Sequence, residues 1–243
     1  MEEFLSVHPE NRNLMDEIYA AHLRGDVAQV DILMLQYQTP TNHPLICAIL
    51  GEDIKQVKFI LESYQRWFDC AETRDLVPMK IVSNSLDAAS PIGMAINRKQ
   101  SEIFELLLNF GLRNGLGGCW STCTPDRFGG TPFHHAVTLG QLHIMETLIQ
   151  RCHLDIDSEM WGKGITALVT AASFNHFDTV RLLKAFGANT NIEEVLSRSP
   201  FGGYISPRVF DAVRERIPED VVLEIRTRVY FQPTFLDRLS IYL

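Results

Sequence analysis

The chain has 243 residues, 46% of them hydrophobic, and a formal net charge of −8. That is enough apolar material for a sizeable core, and the acidic balance argues against a general nucleic-acid binder. No apolar run approaches the ~18 residues of a membrane span. Met1-Glu2-Glu3-Phe4 lacks the basic and apolar regions of a signal peptide, and the five Cys are an odd count without a framework spacing. The expectation is a cytoplasmic or nuclear protein with reduced thiols, no cofactor and no membrane contact.

The predicted elements recur. A degenerate unit spans 16–35, beginning near Asp16, with Ala21, Gly25, Val30 and Leu33. A second spans 43–62, where His43, Pro44, Leu45 and Ala48 precede Ile54, Val57, Ile60 and Leu61 at helical spacing. Residues 63–89, with Trp67, Phe68 and Pro78-Met79-Lys80-Ile81-Val82, do not fit the pattern. They are too apolar for a disordered linker and are expected to fold back on the helices. The third unit, 90–111, has Ser90, Pro91, Ile92 and Ala95, then Ile103, Phe104, Leu106, Leu107 and Phe110. Residues 112–128 are Gly-rich and hold Cys119-Trp120-Ser121-Thr122-Cys123.

The fourth unit, 131–151, follows Gly130 and reads Thr131-Pro132-Phe133-His134-His135-Ala136-Val137-Thr138-Leu139-Gly140, then Met145 and Leu148. The fifth, 166–191, has Thr166, Ala167, Leu168, Ala171 and Ala172, then Val180 and Leu183, and ends in Gly187-Ala188-Asn189-Thr190-Asn191. Pro91 and Pro132 fit a first helical turn, where a missing N–H costs nothing. Gly111, Gly140 and Gly187 are expected to end helices in a left-handed conformation. Ala48, Ala95, Ala136 and Ala171 are small where two helices must approach closely. The tail, 192–243, loses the pattern and reads as three short helices: Pro207–Ile217, Glu219–Tyr230 and Thr234–Tyr242, punctuated by Pro207, Pro218 and Pro233.

These units resemble the ankyrin repeat, whose signature is T-P-L-H-x-A-A with Gly nine positions after the Thr. Counting that Thr as zero, the zero positions 43, 90, 131 and 166 differ by 47, 41 and 35. Against a period of about 33 residues, the repeats carry insertions of about 14, 8 and 2. Where the signature has His, the other units have Tyr19, Ile46, Gly93 and Val169. The resemblance implies an all-α ankyrin-repeat α-solenoid with inserted loops over 1–191 and a C-terminal helical cap or box over 192–243. One helix pair cannot bury its apolar side alone, so neighbours must stack.

The resemblance also implies a non-enzymatic adaptor or scaffold that binds another protein on a concave surface. That surface is built from the turn tips and from positions seven and eight of each unit. Here these are Arg24, Asn97, Arg98, Arg127, Phe128, Leu139, Lys163 and Phe174. Arg24, Arg98, Arg127 and Lys163 would form a basic stripe for an acidic segment of the partner. The alternative for the tail is a SOCS box, since Pro233-Thr234-Phe235-Leu236-Asp237-Arg238-Leu239-Ser240-Ile241-Tyr242-Leu243 resembles that box's close. The protein would then be a substrate receptor for ubiquitin transfer that binds elongins. Its Leu-then-Cys pair is represented only by Phe210 and Arg214.

Other chemistry is weaker. Cys119, Cys123, His134 and His135 lack a usual zinc spacing, and His134 matches a turn-bonding repeat position. Gly111, Gly115, Gly117 and Gly118 have no following Lys-Ser or Lys-Thr for a phosphate loop. Leu106-Leu107-Leu108 falls on a core face. No nucleophile or metalloprotease motif accompanies the eight His. An enzyme or metal protein with its site in the non-repeat segments is the remote reading.

Overall fold

A computed structural model describes residues 9–36, 44–70, 90–115, 131–152, 154–160, 164–197 and 201–231. The chain forms two compact units, 1–116 and 117–243. Among the described residues there are 13 α-helices and no strand, only an isolated bridge between Met160 and Ile165.

The first unit contains three helix pairs: α1 (Pro9–Leu23) with α2 (Val27–Gln36), α3 (Pro44–Leu50) with α4 (Ile54–Asp69), and α5 (Pro91–Asn97) with α6 (Ser101–Arg113). Within it α1 packs on α3, α3 on α5, and α4 on α6. The second unit contains α7 (Pro132–Thr138) with α8 (Leu142–Arg151) and α9 (Ala167–Ser173) with α10 (Phe177–Ala185). There α7 packs on α9. The described residues thus hold five helix pairs, three in the first unit and two in the second.

Local chemistry sets each pair. Ser90, Thr131 and Thr166 cap α5, α7 and α9 by accepting from the N–H of Gly93, His134 and Val169. This satisfies one of the donors that every helix start leaves open. Ala48, Ala95, Ala136 and Ala171 are all buried, so the first helices meet without bulk between them. Position nine then reverses the chain with a left-handed residue in all five pairs: Gly25 (φ 72), Glu52 (φ 56), Lys99 (φ 58), Gly140 (φ 62) and Asn175 (φ 59). At Gly140 a side chain is doubly excluded, because a Cβ would lie 3.0 Å from the His176 ring. Side chains at position ten tie one pair to the one before. Gln100 Nε2 donates to the Ile49 carbonyl at 2.8 Å, and His176 Nε2 reaches the Thr138 carbonyl at 2.9 Å.

Two local expectations are corrected. Gly111 does not end a helix: it is buried inside α6, and the left-handed residue is Gly115 (φ 73). The reason is that Gly111 faces the core as an interior helical residue, while the chain turns one helical turn later. Residues 63–69 are not loop. They continue α4 because Phe59, Ser63, Tyr64 and Trp67 prolong its buried stripe. The rest of that insertion, and nearly all of 112–128, lies outside the described residues.

In the tail, α11 (Glu193–Ser197) packs on α9, α12 (Pro207–Arg214) on α9 and α10, and α13 (Glu219–Phe231) on α8 and α10. Val209, Val213, Ile225 and Val229 are buried there. Helix α12 stops at Arg214, three residues short of expectation. Pro218 disfavours helical backbone just before it, and the freed carbonyls take another donor described below. The third expected tail helix, Thr234–Tyr242, lies outside the described residues.

Leu107 is fully buried in α6, so Leu107→Ala should cost about 2–5 kcal/mol. Hydrogen exchange should place the loss in α5–α6 and in the α3–α4 pair packed on them. Lys99 holds a left-handed conformation at an exposed position. Lys99→Gly should therefore change stability favourably by up to about 1 kcal/mol, the relief of strain exceeding the entropy cost of Gly. Chemical denaturation checks both.

Candidate protein-binding surface

Positions seven and eight sit where each first helix ends, held by the left-handed residue that follows. In the first unit this exposes Arg24 just beyond α1 and Asn97 at the end of α5, with Arg98 half-buried as its C-cap. Leu23 and Val27 beside Arg24 are also exposed. In the second unit the same step places Leu139, half-buried, as the C-cap of α7 and Phe174 as the C-cap of α9. Because α7 packs on α9, Leu139 and Phe174 end adjacent helices. Arg127, Phe128 and Lys163 lie outside the described residues. Of the four cations expected in a basic stripe, the described ones, Arg24 and Arg98, both belong to the first unit.

The second unit adds aromatic residues that the repeat pattern does not reach. Phe174 is 41% exposed, stacks near-parallel on the His176 ring at 6.2 Å and meets Phe201 at 5.2 Å. Asn175 fixes the segment that carries them. Its Nδ2 donates to the Tyr204 carbonyl and its Oδ1 accepts from the Ser206 N–H, each at 2.6 Å. Gly203 lets this segment close on α9, since a Cβ there would lie 3.2 Å from the Ser173 carbonyl. Tyr204 is left 76% exposed in this segment. The sequence signal was Phe201-Gly202-Gly203-Tyr204, two aromatics around a turn that falls after the repeats.

His134 is buried, with Nδ1 2.8 Å from Thr131 Oγ1 and Nε2 3.2 Å from the Ser158 carbonyl. A carbonyl only accepts, so Nε2 carries the proton and Nδ1 accepts from the Thr131 hydroxyl. The ring thus braces a turn. No cluster of His, Cys, Asp or Glu suited to a metal occurs among the described residues; Cys119 and Cys123 lie outside them. Burial pushes the Cys47 and Cys152 thiols up to about 11, so both stay protonated and poorly nucleophilic at neutral pH. Leu107 and Leu108 are core residues rather than a docking motif. No helix among the described residues is long and apolar enough to cross a membrane.

Comparison with known proteins agrees with this geometry. Residues 92–194 match the family model described as ankyrin repeats, in three copies. Residues 92–194 are ankyrin repeats. The described residues have the all-α fold of ankyrin repeats, and such repeats support a role in protein–protein interaction. The chain is also 23% identical over 160 residues to the probable 26S proteasome regulatory subunit p28 of Saccharomyces cerevisiae, covering 66% of this chain. It spans 62% of that relative's length.

The ankyrin match ends before α12 and α13, yet both are bound to the last repeat. Lys184 Nζ donates to the carbonyls of Ala212, Val213 and Glu215, closing the C-terminal end of α12. Arg226 returns the favour to α10, its Nε donating to the Ala185 carbonyl at 2.6 Å. Phe186 and Tyr230 meet edge-on at 5.6 Å, and Arg228 pairs with Glu146 on α8. Burial lowers the Lys184 pKa, with Glu215 opposing; the ammonium keeps three acceptors in return. Of the two residues standing where a SOCS box carries its Leu and Cys, Arg214 stacks over Phe210 at 4.4 Å and pairs with Glu193 at 2.8 Å. Lys184→Met should loosen α12 at a cost of about 1–3 kcal/mol, since it leaves several carbonyls without their charged donor. Hydrogen exchange should rise across 207–214 while α7 stays protected. Unchanged protection of α12 would mean that its apolar face alone holds it.

Proposed function

We propose that this protein is a non-enzymatic adaptor or scaffold that binds a partner protein through the ends of its first helices. The observation that carries the reading is the repeated presentation of positions seven and eight beside a left-handed turn. Phe174, Leu139 and Tyr204 would be the apolar anchors of the second unit, and Arg24, Asn97 and Arg98 the polar contacts of the first. Arg and aromatic side chains supply much of the energy at such interfaces. Arg127, Phe128 and Lys163 belong to the same proposal by their positions in the repeat. The relative's name makes the 26S proteasome the first assembly to test as a partner, in the cytoplasm or the nucleus.

Cross-linking the full chain to purified 26S proteasome, followed by mass spectrometry, would identify the subunit it touches. With that subunit in hand, Phe174→Ala should speed dissociation by about tenfold or more. Arg98→Glu should slow association and weaken its salt dependence if the bound segment is acidic. Wild-type kinetics in both variants would place the partner elsewhere on the chain. Co-purification with elongins would instead give the tail the docking role of a ubiquitin-ligase receptor.

A further inference from the structure

A groove of about 420 Å³ lies on the opposite helices of the second unit, between α10 and α12 with the turn that follows α12. Phe177 forms its floor. Arg208 Cζ sits 4.0 Å from the centroid of that ring and Arg181 Cζ 5.8 Å from it. Two guanidiniums therefore crowd one aromatic ring. Neither has an ion-pair partner among the described residues. Two carboxylates, Asp211 and Glu215, also line the groove, though neither forms an ion pair with Arg181 or Arg208.

Like charges held together without a counter-charge repel, and a chain of net charge −8 has carboxylates to spare. Here the lining holds three guanidiniums, Arg181, Arg208 and Arg216, against those two carboxylates. Arg208 holds its guanidinium over the ring, and its planar N–H fork suits a carboxylate. Ile217 and Pro218 add an apolar wall. A second groove of about 400 Å³ shares Glu215, Arg216 and Ile217 with the first and continues past them toward Arg226. The two together form a track rather than a socket, which suits an extended chain.

We propose that this track binds an acidic segment of a partner protein, with side-chain carboxylates on Arg181 and Arg208 and an apolar neighbour against Ile217 and Pro218. The site is separate from the first-helix ends and does not rest on the function proposed for them. A nucleic acid is the disfavoured polyanion, because the chain's net charge of −8 repels a long one.

The test uses the full chain and a fluorescein-labelled peptide rich in Glu and Leu, read by anisotropy. Binding should be saturable and weaken as salt rises. Arg181→Gln with Arg208→Gln should weaken it about tenfold or more, the usual worth of charge-assisted pairs. Arg24→Gln with Arg98→Gln should leave it unchanged. Hydrogen exchange with the wild-type chain gives a second measure: the peptide should protect α10 and α12. No saturable binding overturns the proposal. So do equal affinity in the Arg181/Arg208 variant, protection confined to other helices, or tighter binding of a single-stranded oligonucleotide of equal charge.

Discussion

Everything in this molecule depends on how closely the first helices of neighbouring repeats can approach. A seven-residue helix such as α7 or α9 is too short to be stable by itself in water. It persists because Ala136 and Ala171 let the next helix lie against it, burying Phe133, Val137, Leu168 and Ala172 in the same layer. The first unit repeats the arrangement with Ala48 and Ala95. Replacing any of these four Ala with a larger residue would force apart backbones that are themselves held by caps and carbonyl bonds. Overpacking of this kind commonly costs about 1–3 kcal/mol.

The same close approach fixes where recognition can occur. The chain must leave each first helix abruptly to begin the second, and only a left-handed residue does so in one step. Gly is the easiest solution, yet Glu52, Lys99 and Asn175 adopt it as well. Tertiary packing therefore overrides a local preference worth about 1–2 kcal/mol. Asn175 gains from the conformation, because its amide is then aimed at the backbone of Tyr204 and Ser206. One residue thus reverses the repeat and attaches the segment that brings Phe201 against Phe174.

The helix pairs were legible in the sequence because their signals are local. Caps, apolar spacing and small residues all fall within a short window around Thr131 or Thr166. Gly111 misled because a Gly on a buried helical face and a Gly at a helix end look alike without their partners. Residues 63–69 misled because the repeat period ends before the amphipathic spacing does, and burial of Tyr64 and Trp67 follows the spacing. The aromatic set around Phe174 was half legible: the repeat pointed to Phe174, while Phe201 and Tyr204 reach it through an Asn side chain about 30 residues earlier. The tail's attachment was invisible for the same reason. Lys184 and Arg226 bind backbone carbonyls on each other's neighbouring helices, and carbonyls have no sequence signature.

Net charge sets a limit on partners that must be separated from local charge. At −8 the whole surface weakly repels a long polyanion, since every added phosphate meets the same field. A short acidic segment is governed by different distances. Beyond about 8 Å at physiological salt the field of remote carboxylates is screened, whereas a carboxylate about 4 Å from a guanidinium near the surface interacts by a few kcal/mol. The nearest charges therefore decide. Around Phe177 those cations are Arg181 and Arg208, with Asp211 and Glu215 in the same groove but in no ion pair with them. An acidic protein can in this way present a local site for acidic peptide while its overall field disfavours nucleic acid, and the site depends on which cations stand together rather than on how many the chain contains.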